Sequence, residues 1–158
     1  MYTGFCWWWW AYYLPGQPFR EKVVPDDHNG RTLLVSGQLW ESDCVTPIAD
    51  AVIDIWQADE TGEYQDEWYR GQIRTGSDGE YKFETVMPLG YGEGTAYRPP
   101  HIHFKVHIDG RLVATSQMFF EDVRGRTGFN DAYIIPVNTK ERDGEEVLVG
   151  IYQIVLDV

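Results

Sequence analysis

Arg98-Pro99-Pro100-His101-Ile102-His103-Phe104-Lys105-Val106-His107-Ile108 is the stretch on which the reading of this chain turns. From residue 101 the odd positions hold His, His, Lys and His, and the even ones Ile, Phe, Val and Ile. Apolar and polar side chains alternating with a period of two mark a β-strand with one face on a core and the other toward water. Side chains on one strand face recur every second residue. His101 and His103 therefore project together, about 7 Å apart, and both imidazoles can reach one metal ion. Such pairs also arise on ordinary polar strand faces, so a metal site requires other groups to converge on this one.

Outward from this strand the chain is a series of short β-rich runs. Strands are predicted over residues 33–41, 51–58, 72–75, 80–87, 101–108, 112–120 and 147–158. Turn signals divide them: Glu60-Thr61-Gly62, Ser77-Asp78-Gly79, Asp109-Gly110 and Arg142-Asp143-Gly144. No run of ten or more residues carries a helical period. Seven or eight strands at this spacing imply an all-β fold, an antiparallel β-sandwich with long functional loops. The expected organisation is an aromatic N-terminal segment and lead-in over 1–32, followed by one sandwich domain over 33–158. The Gly- and Pro-rich interval between Pro88 and His101 reads as a structured loop feeding the histidine strand, and long loops of this kind usually carry function.

The chain has 158 residues and a formal net charge of −12. That length suits one domain with a proper core. The acidic balance argues against nucleic acid or an anionic membrane as a partner. Cys6 and Cys44 are too few for a disulfide scaffold, although one bridge between them is not excluded, and the default is a reduced, cytoplasmic protein. Residues 7–10 are four consecutive tryptophans. The segment is far shorter than the roughly 20 apolar residues that span a bilayer, and it lacks the pattern of a signal peptide. Stable membrane insertion is not expected. Trp7 to Tyr13 are expected to cover a ligand mouth or a subunit interface, which allows a homo-oligomer.

No carboxylate, cysteine pair or second histidine cluster stands beside His101 and His103 in the sequence. Tyrosines stand out instead: Tyr91 and Tyr97 in the loop before the strand, and Tyr64 in a turn after Trp56. A phenolate is a hard anionic donor suited to a hard cation such as Fe(III). Taken singly, each of these tyrosines is better read as an edge or interface aromatic.

Several motifs in order resemble the intradiol ring-cleavage dioxygenases, the protocatechuate 3,4-dioxygenase group in particular. They are Trp56-Gln57-Ala58-Asp59, Gly62-Glu63-Tyr64, Arg70-Gly71, Thr75-Gly76-Ser77-Asp78-Gly79-Glu80-Tyr81-Lys82-Phe83, Thr85-Val86-Met87-Pro88-Leu89-Gly90-Tyr91 and Arg98-Pro99-Pro100-His101-Ile102-His103-Phe104. The resemblance covers roughly residues 33–121. It implies one mononuclear non-haem Fe(III) per chain, bound by Tyr64, Tyr91, His101 and His103, with Tyr91 as the ligand that substrate displaces. It implies Arg98 beside the bound substrate and Gln117 near the iron, while Tyr97 matches no ligand. A catechol and O2 are the implied substrates and a muconate-type dicarboxylic acid the product.

The substrate is expected to meet Arg98, Glu93 and the N-terminal residues Tyr12, Tyr13, Pro15 and Gly16. The short loop at Gly92-Glu93-Gly94-Thr95-Ala96, and the absence of a long N-terminal helical segment, set this sequence apart from typical members of the family. Lys105 and His107 share the histidine face but match no ligand, and are expected to be surface residues or to stand behind the site. Two other classes stay open: an Fe(II) or Zn enzyme using both histidines with Glu63 or Glu93, and a non-catalytic, transthyretin-like binding module. Loss of His101 and His103 would leave the module's function intact.

Overall fold

The structure is a computed structural model and describes residues 12–94, 97–120 and 134–158. The tryptophan run at 7–10 and Cys6, and with them any Cys6–Cys44 pair, lie outside the described residues. Cys44 is exposed. Among the described residues there are ten strands and no α-helix: β1 Thr32–Glu41, β2 Val52–Gln57, β3 Arg70–Arg74, β4 Glu80–Val86, β5 His101–Ile108, β6 Arg111–Phe120, β7 Ile134–Ile135, β8 Val137–Arg142, β9 Glu145–Ile151 and β10 Ile154–Leu156. They form two five-stranded sheets. One contains β10, β1, β9 and β8, with β4 on β1, and the other runs β3-β2-β5-β6-β7.

This is the all-β sandwich read from the sequence, with β7 and β8 as strands beyond those expected and with two further differences. Pairing is mixed rather than wholly antiparallel, because β1 runs parallel to β9 and β10, and β6 parallel to β7. The run expected over 147–158 is also split in two. Leu33 pairs with Leu148 and Leu39 with Ile154, so β9 and β10 keep one register along β1. The break sits where the Tyr152 carbonyl would come within 1.8 Å of a Cβ on Gly37, so only glycine admits this approach. Tyr81 Oη donates to that same carbonyl at 2.6 Å and fixes the bend.

The hairpin turns form as their residues dictate. Asp109 and Gly110 have φ of 50° and 74°, and Asp143 and Gly144 have 55° and 84°. Two successive left-handed residues make the turn whose twist matches two-residue β-hairpins, here joining β5 to β6 and β8 to β9.

Between the sheets lie Leu33, Val35, Leu39, Tyr81, Phe83 and Leu148 from one side, and Ile53, Ile55, Ile102, Phe104, Val106 and Met118 from the other. Each such side chain contributes about 1.5–3 kcal/mol by leaving water. Residues 18–23 close the sandwich at one side. Gln72 N donates to Pro18 O at 3.0 Å on β3, and Val23 N to Glu84 O at 3.0 Å on β4. Val23 itself belongs to the core.

One sequence expectation is overturned. The polar face of β5 does not look into water, since His101, His103 and Lys105 are as buried as the apolar residues between them. Lys105 is therefore no surface residue, whereas His107 is half-buried. The physical reason is that alternation separates two faces without saying what covers each. Here Tyr13 lies over the outer face, its ring 3.6 Å from Lys105 Nζ and 4.9 Å from the Trp56 ring.

Candidate active site

Four donor atoms meet on the outer face of β5. His101 Nε2 and His103 Nε2 are 3.1 Å apart, Tyr64 Oη is 3.1 Å from His103 Nε2, and Tyr64 Oη and Tyr91 Oη are 3.2 Å apart. Ligands about 2.0–2.2 Å from a first-row metal ion, at about 90–110° to one another, stand about 2.9–3.5 Å apart. The spacing of the four atoms fits a metal position among them.

Each donor is aimed by its own surroundings. His101 Nδ1 is 2.6 Å from the Pro99 carbonyl, which can only accept, so the ring proton sits on Nδ1 and the Nε2 lone pair faces the cluster. His103 stacks on Trp56 at 4.8 Å and 6°, its cross-strand partner on β2. Tyr64 rides on a turn organised by Asp59, whose carboxylate accepts from Thr61 N, Thr61 Oγ1, Glu63 N and Gln65 Nε2 at 2.7–3.0 Å. Burial opposes ionisation of Asp59, but these bonds outweigh it and hold the carboxyl below its usual range. Tyr91 is held by a two-bond bridge to Arg98, N to O at 3.0 Å and O to N at 2.7 Å.

Electrostatics suit the neutral forms of the histidines. Burial pushes the His101 imidazole down to about 4 and that of His103 to about 2, with Arg98 adding to both and His101 to its neighbour. Both rings are therefore neutral at neutral pH, and each has one nitrogen lone pair to give. Burial and the Tyr91 hydroxyl push the Tyr64 phenol above its ordinary value. A bound polyvalent cation reverses that direction and favours the phenolate.

Arg98 Nη2 donates to Gln117 Oε1 at 2.7 Å, while Arg98 Nε is buried with no hydrogen-bond partner among the described residues. Gln117 lies across from His103 on β6. An orphaned, cationic N–H beside the donor cluster is a ready partner for an anionic oxygen.

Of the residues singled out in the sequence, Tyr64, Tyr91, His101, His103, Arg98 and Gln117 come together here. Tyr12 joins them through its ring, stacked on that of Tyr64 at 4.2 Å and 7°. Tyr13 turns its hydroxyl to Asp54 Oδ2 at 2.7 Å instead. Pro15, Gly16 and Glu93 are exposed. Tyr97 is not among the donors, and its hydroxyl fills the space where a Gly90 side chain would stand. Glu63 is exposed as well, and among the described residues no group of three His, Cys, Asp or Glu side chains is gathered as a metal site. The donor set is thus two imidazoles and two phenols, which are hard, partly anionic donors fit for a ferric ion. Sequence reading missed Asp54 and the two contacts of Arg70 described below. The only signal was that Arg70 opens a motif and Asp54 shares the face of Trp56.

The family model described as Dioxygenase matches residues 15–157. A chlorocatechol 1,2-dioxygenase of Pseudomonas putida is 34% identical over an alignment of 135 residues, with 70% of this chain and 51% of that protein covered. The solved dioxygenase domain of a dioxygenase carbohydrate-binding protein fusion from Streptomyces sp. SirexAA-E is 32% identical, with a TM-score of 0.75 and 93% of each chain covered. The 3-chlorocatechol 1,2-dioxygenase of Rhodococcus opacus gives a TM-score of 0.78 at 25% identity, covering 92% of this chain and 69% of that one. The chain spans about half the length of the curated relatives it matches.

Proposed function

The chain belongs to the intradiol ring-cleavage dioxygenase family, and from that premise we propose that it opens a catechol-type ring between its two hydroxylated carbons with O2. The product is a muconate-type dicarboxylic acid. In this reading one mononuclear non-haem Fe(III) per chain is held by Tyr64, Tyr91, His101 and His103. The observation that carries it is the convergence of two phenol oxygens and two imidazole nitrogens at 3.1–3.2 Å with no carboxylate among them. Chlorocatechols, on which relatives act by name, and unsubstituted catechol are the first substrates to try.

Ferric iron, when bound, supplies the Lewis acidity that draws electron density from a catecholate and makes its ring carbon reactive toward O2. The chain's own residues do the rest. His101 and His103 give neutral lone pairs, and the Tyr64 and Tyr91 phenolates offset much of the ion's charge in a water-poor site. Tyr91 sits at the base of a loop and would be the residue that gives way to substrate, its Oη then placed to take a proton from a catechol hydroxyl. Tyr64, fixed in its Asp59 turn, stays. Arg98 sets its Nε, unpartnered among the described residues, against negative charge gathering on substrate oxygens, and Gln117 holds its other end.

Metal analysis, visible spectroscopy and oxygen uptake across a panel of catechols, from protocatechuate to bulky substituted rings, test the proposal. The expected protein is red-brown with stoichiometric iron and consumes O2 with at least one catechol. Colourless protein, or iron-replete protein inert to every catechol, overturns it. Tyr91→Phe is expected to shift the visible absorption and slow turnover, and unchanged colour and rate would remove Tyr91 from the ligand set.

A further inference from the structure

Arg70 is a buried motif residue that neither donates to the metal position nor faces the substrate. It opens β3 opposite Trp56 and is 1% exposed. Its Nε and Nη2 donate to the Gln65 carbonyl at 2.8 and 2.5 Å, and its Nη1 to the Tyr12 carbonyl at 2.8 Å. Gln65 follows Tyr64 in the chain, and Tyr12 carries the ring stacked on Tyr64. One guanidinium thus grips the carbonyl of the residue that follows Tyr64 and the carbonyl of the residue whose ring covers it.

Two further observations show that this grip is built. Among the described residues no carboxylate forms an ion pair with Arg70, so a buried cation spends its hydrogen bonds on two neutral carbonyls. A buried charge is retained at that cost only where its position matters to the fold or the site. Tyr12 also adopts φ of 64°, a left-handed conformation that side chains rarely take. Its carbonyl is turned toward Arg70 and its ring toward Tyr64.

We propose that Arg70 is a positioning residue for Tyr64, clamping its turn from beneath and fixing the Tyr12 ring over it, so that the N-terminal segment sets the orientation of this phenol. The fork makes the role specific to arginine, because a lysine ammonium reaches one carbonyl but cannot span both with fixed geometry. The inference rests on the reading of Tyr64 as a metal ligand.

The test uses the full chain loaded with iron as wild type, Arg70→Lys, Tyr12→Ala and Tyr12→Phe. The readouts are iron affinity by chelator competition, the visible phenolate-to-iron absorption, and kcat and KM with catechol. Wild-type protein that binds iron without that absorption defeats the ligand reading itself, and the clamp falls with it. If wild type shows the absorption, folded Arg70→Lys is expected to shift it and to lose about 10–100-fold in iron affinity or kcat, the range for groups that orient ligands. Absorption and affinity equal to wild type overturn the proposal. Should Arg70→Lys fail to fold, Tyr12→Ala decides, since the Tyr12 side chain is largely exposed and its loss leaves the core intact. It is expected to shift the absorption, with Tyr12→Phe restoring it, and an unshifted spectrum overturns the proposal.

Discussion

On the inner face of β5, Ile102, Phe104 and Val106 are 0–2% exposed, and on the outer face His101, His103 and Lys105 are 2–3% exposed. The two faces are sealed to the same degree by opposite means. The inner one is covered by a second sheet of apolar side chains, where any well-packed hydrocarbon of the right volume serves. The outer one is covered by rings and turns, and every polar group needs its own partner. His101 has the Pro99 carbonyl, Gln117 has Arg98, Lys105 has the Tyr13 ring, and Asp54 has the Tyr13 hydroxyl. The lesson is that burial alone does not identify core: a buried polar face whose groups are met by specific, mostly side-chain partners is the pattern of a site rather than of a core.

The sharpest way to break this comparison is to empty one position on each face. His103→Ala is expected to abolish stoichiometric iron binding and ring cleavage while the metal-free protein stays folded; metal content and circular dichroism together check it. Phe104→Ala, its neighbour on the other face, is expected to cost about 3–5 kcal/mol. That lowers the melting temperature by roughly 6–20 °C in a chain of this size, with iron still bound by the folded fraction. If the two variants exchanged these signatures, the division of labour between the faces would be wrong.

Tyr13→Phe probes the polar covering itself. It leaves Asp54, whose Oδ1 has no partner among the described residues, without its best donor, and is expected to cost about 1–3 kcal/mol in denaturant titration. A stability equal to wild type would mean that the N-terminal segment merely rests on the sheet.

The smallest effect belongs to the outer face of the other sheet, which is open to water. There Arg142 pairs with Glu84 at 2.6 Å. The hydrogen bond from Arg142 holds the Glu84 carboxyl below its usual range. A carboxyl lowered on folding adds stability above its unfolded value of about 4.3, and that stability is lost as pH falls through the folded value. Arg142→Ala should therefore cost about 0.2–1 kcal/mol at pH 7 and nothing in strong acid, a difference that paired denaturation curves would resolve.

Much of this was legible in the sequence, for identifiable reasons. The His101–Ile108 strand and the Asp-Gly turns are local patterns, and both formed where expected. Strand β8 was missed because Val-Asn-Thr-Lys-Glu-Arg is polar on both faces and lies mostly exposed, so no alternation betrays it. The parallel pairing of β1 with β9 was hidden because it joins residues more than a hundred positions apart. The donors of the site became legible through motif order, whereas their supports did not. Arg70 with Tyr12, and Tyr13 with Asp54, are single contacts between distant segments, and no periodicity encodes them.

The bridge between Tyr91 and Arg98 has a consequence for how such a protein diversifies. Two backbone hydrogen bonds pinch the loop at its base, so the donor on one side and the cation on the other are fixed to each other independently of what lies between. In the proposed function, the length and composition of the sequence between positions 91 and 98 are then expected to be exchangeable to suit a larger or more polar ring without displacing Tyr91 or Arg98, which makes this short span the natural graft point for redesigning the range of rings accepted.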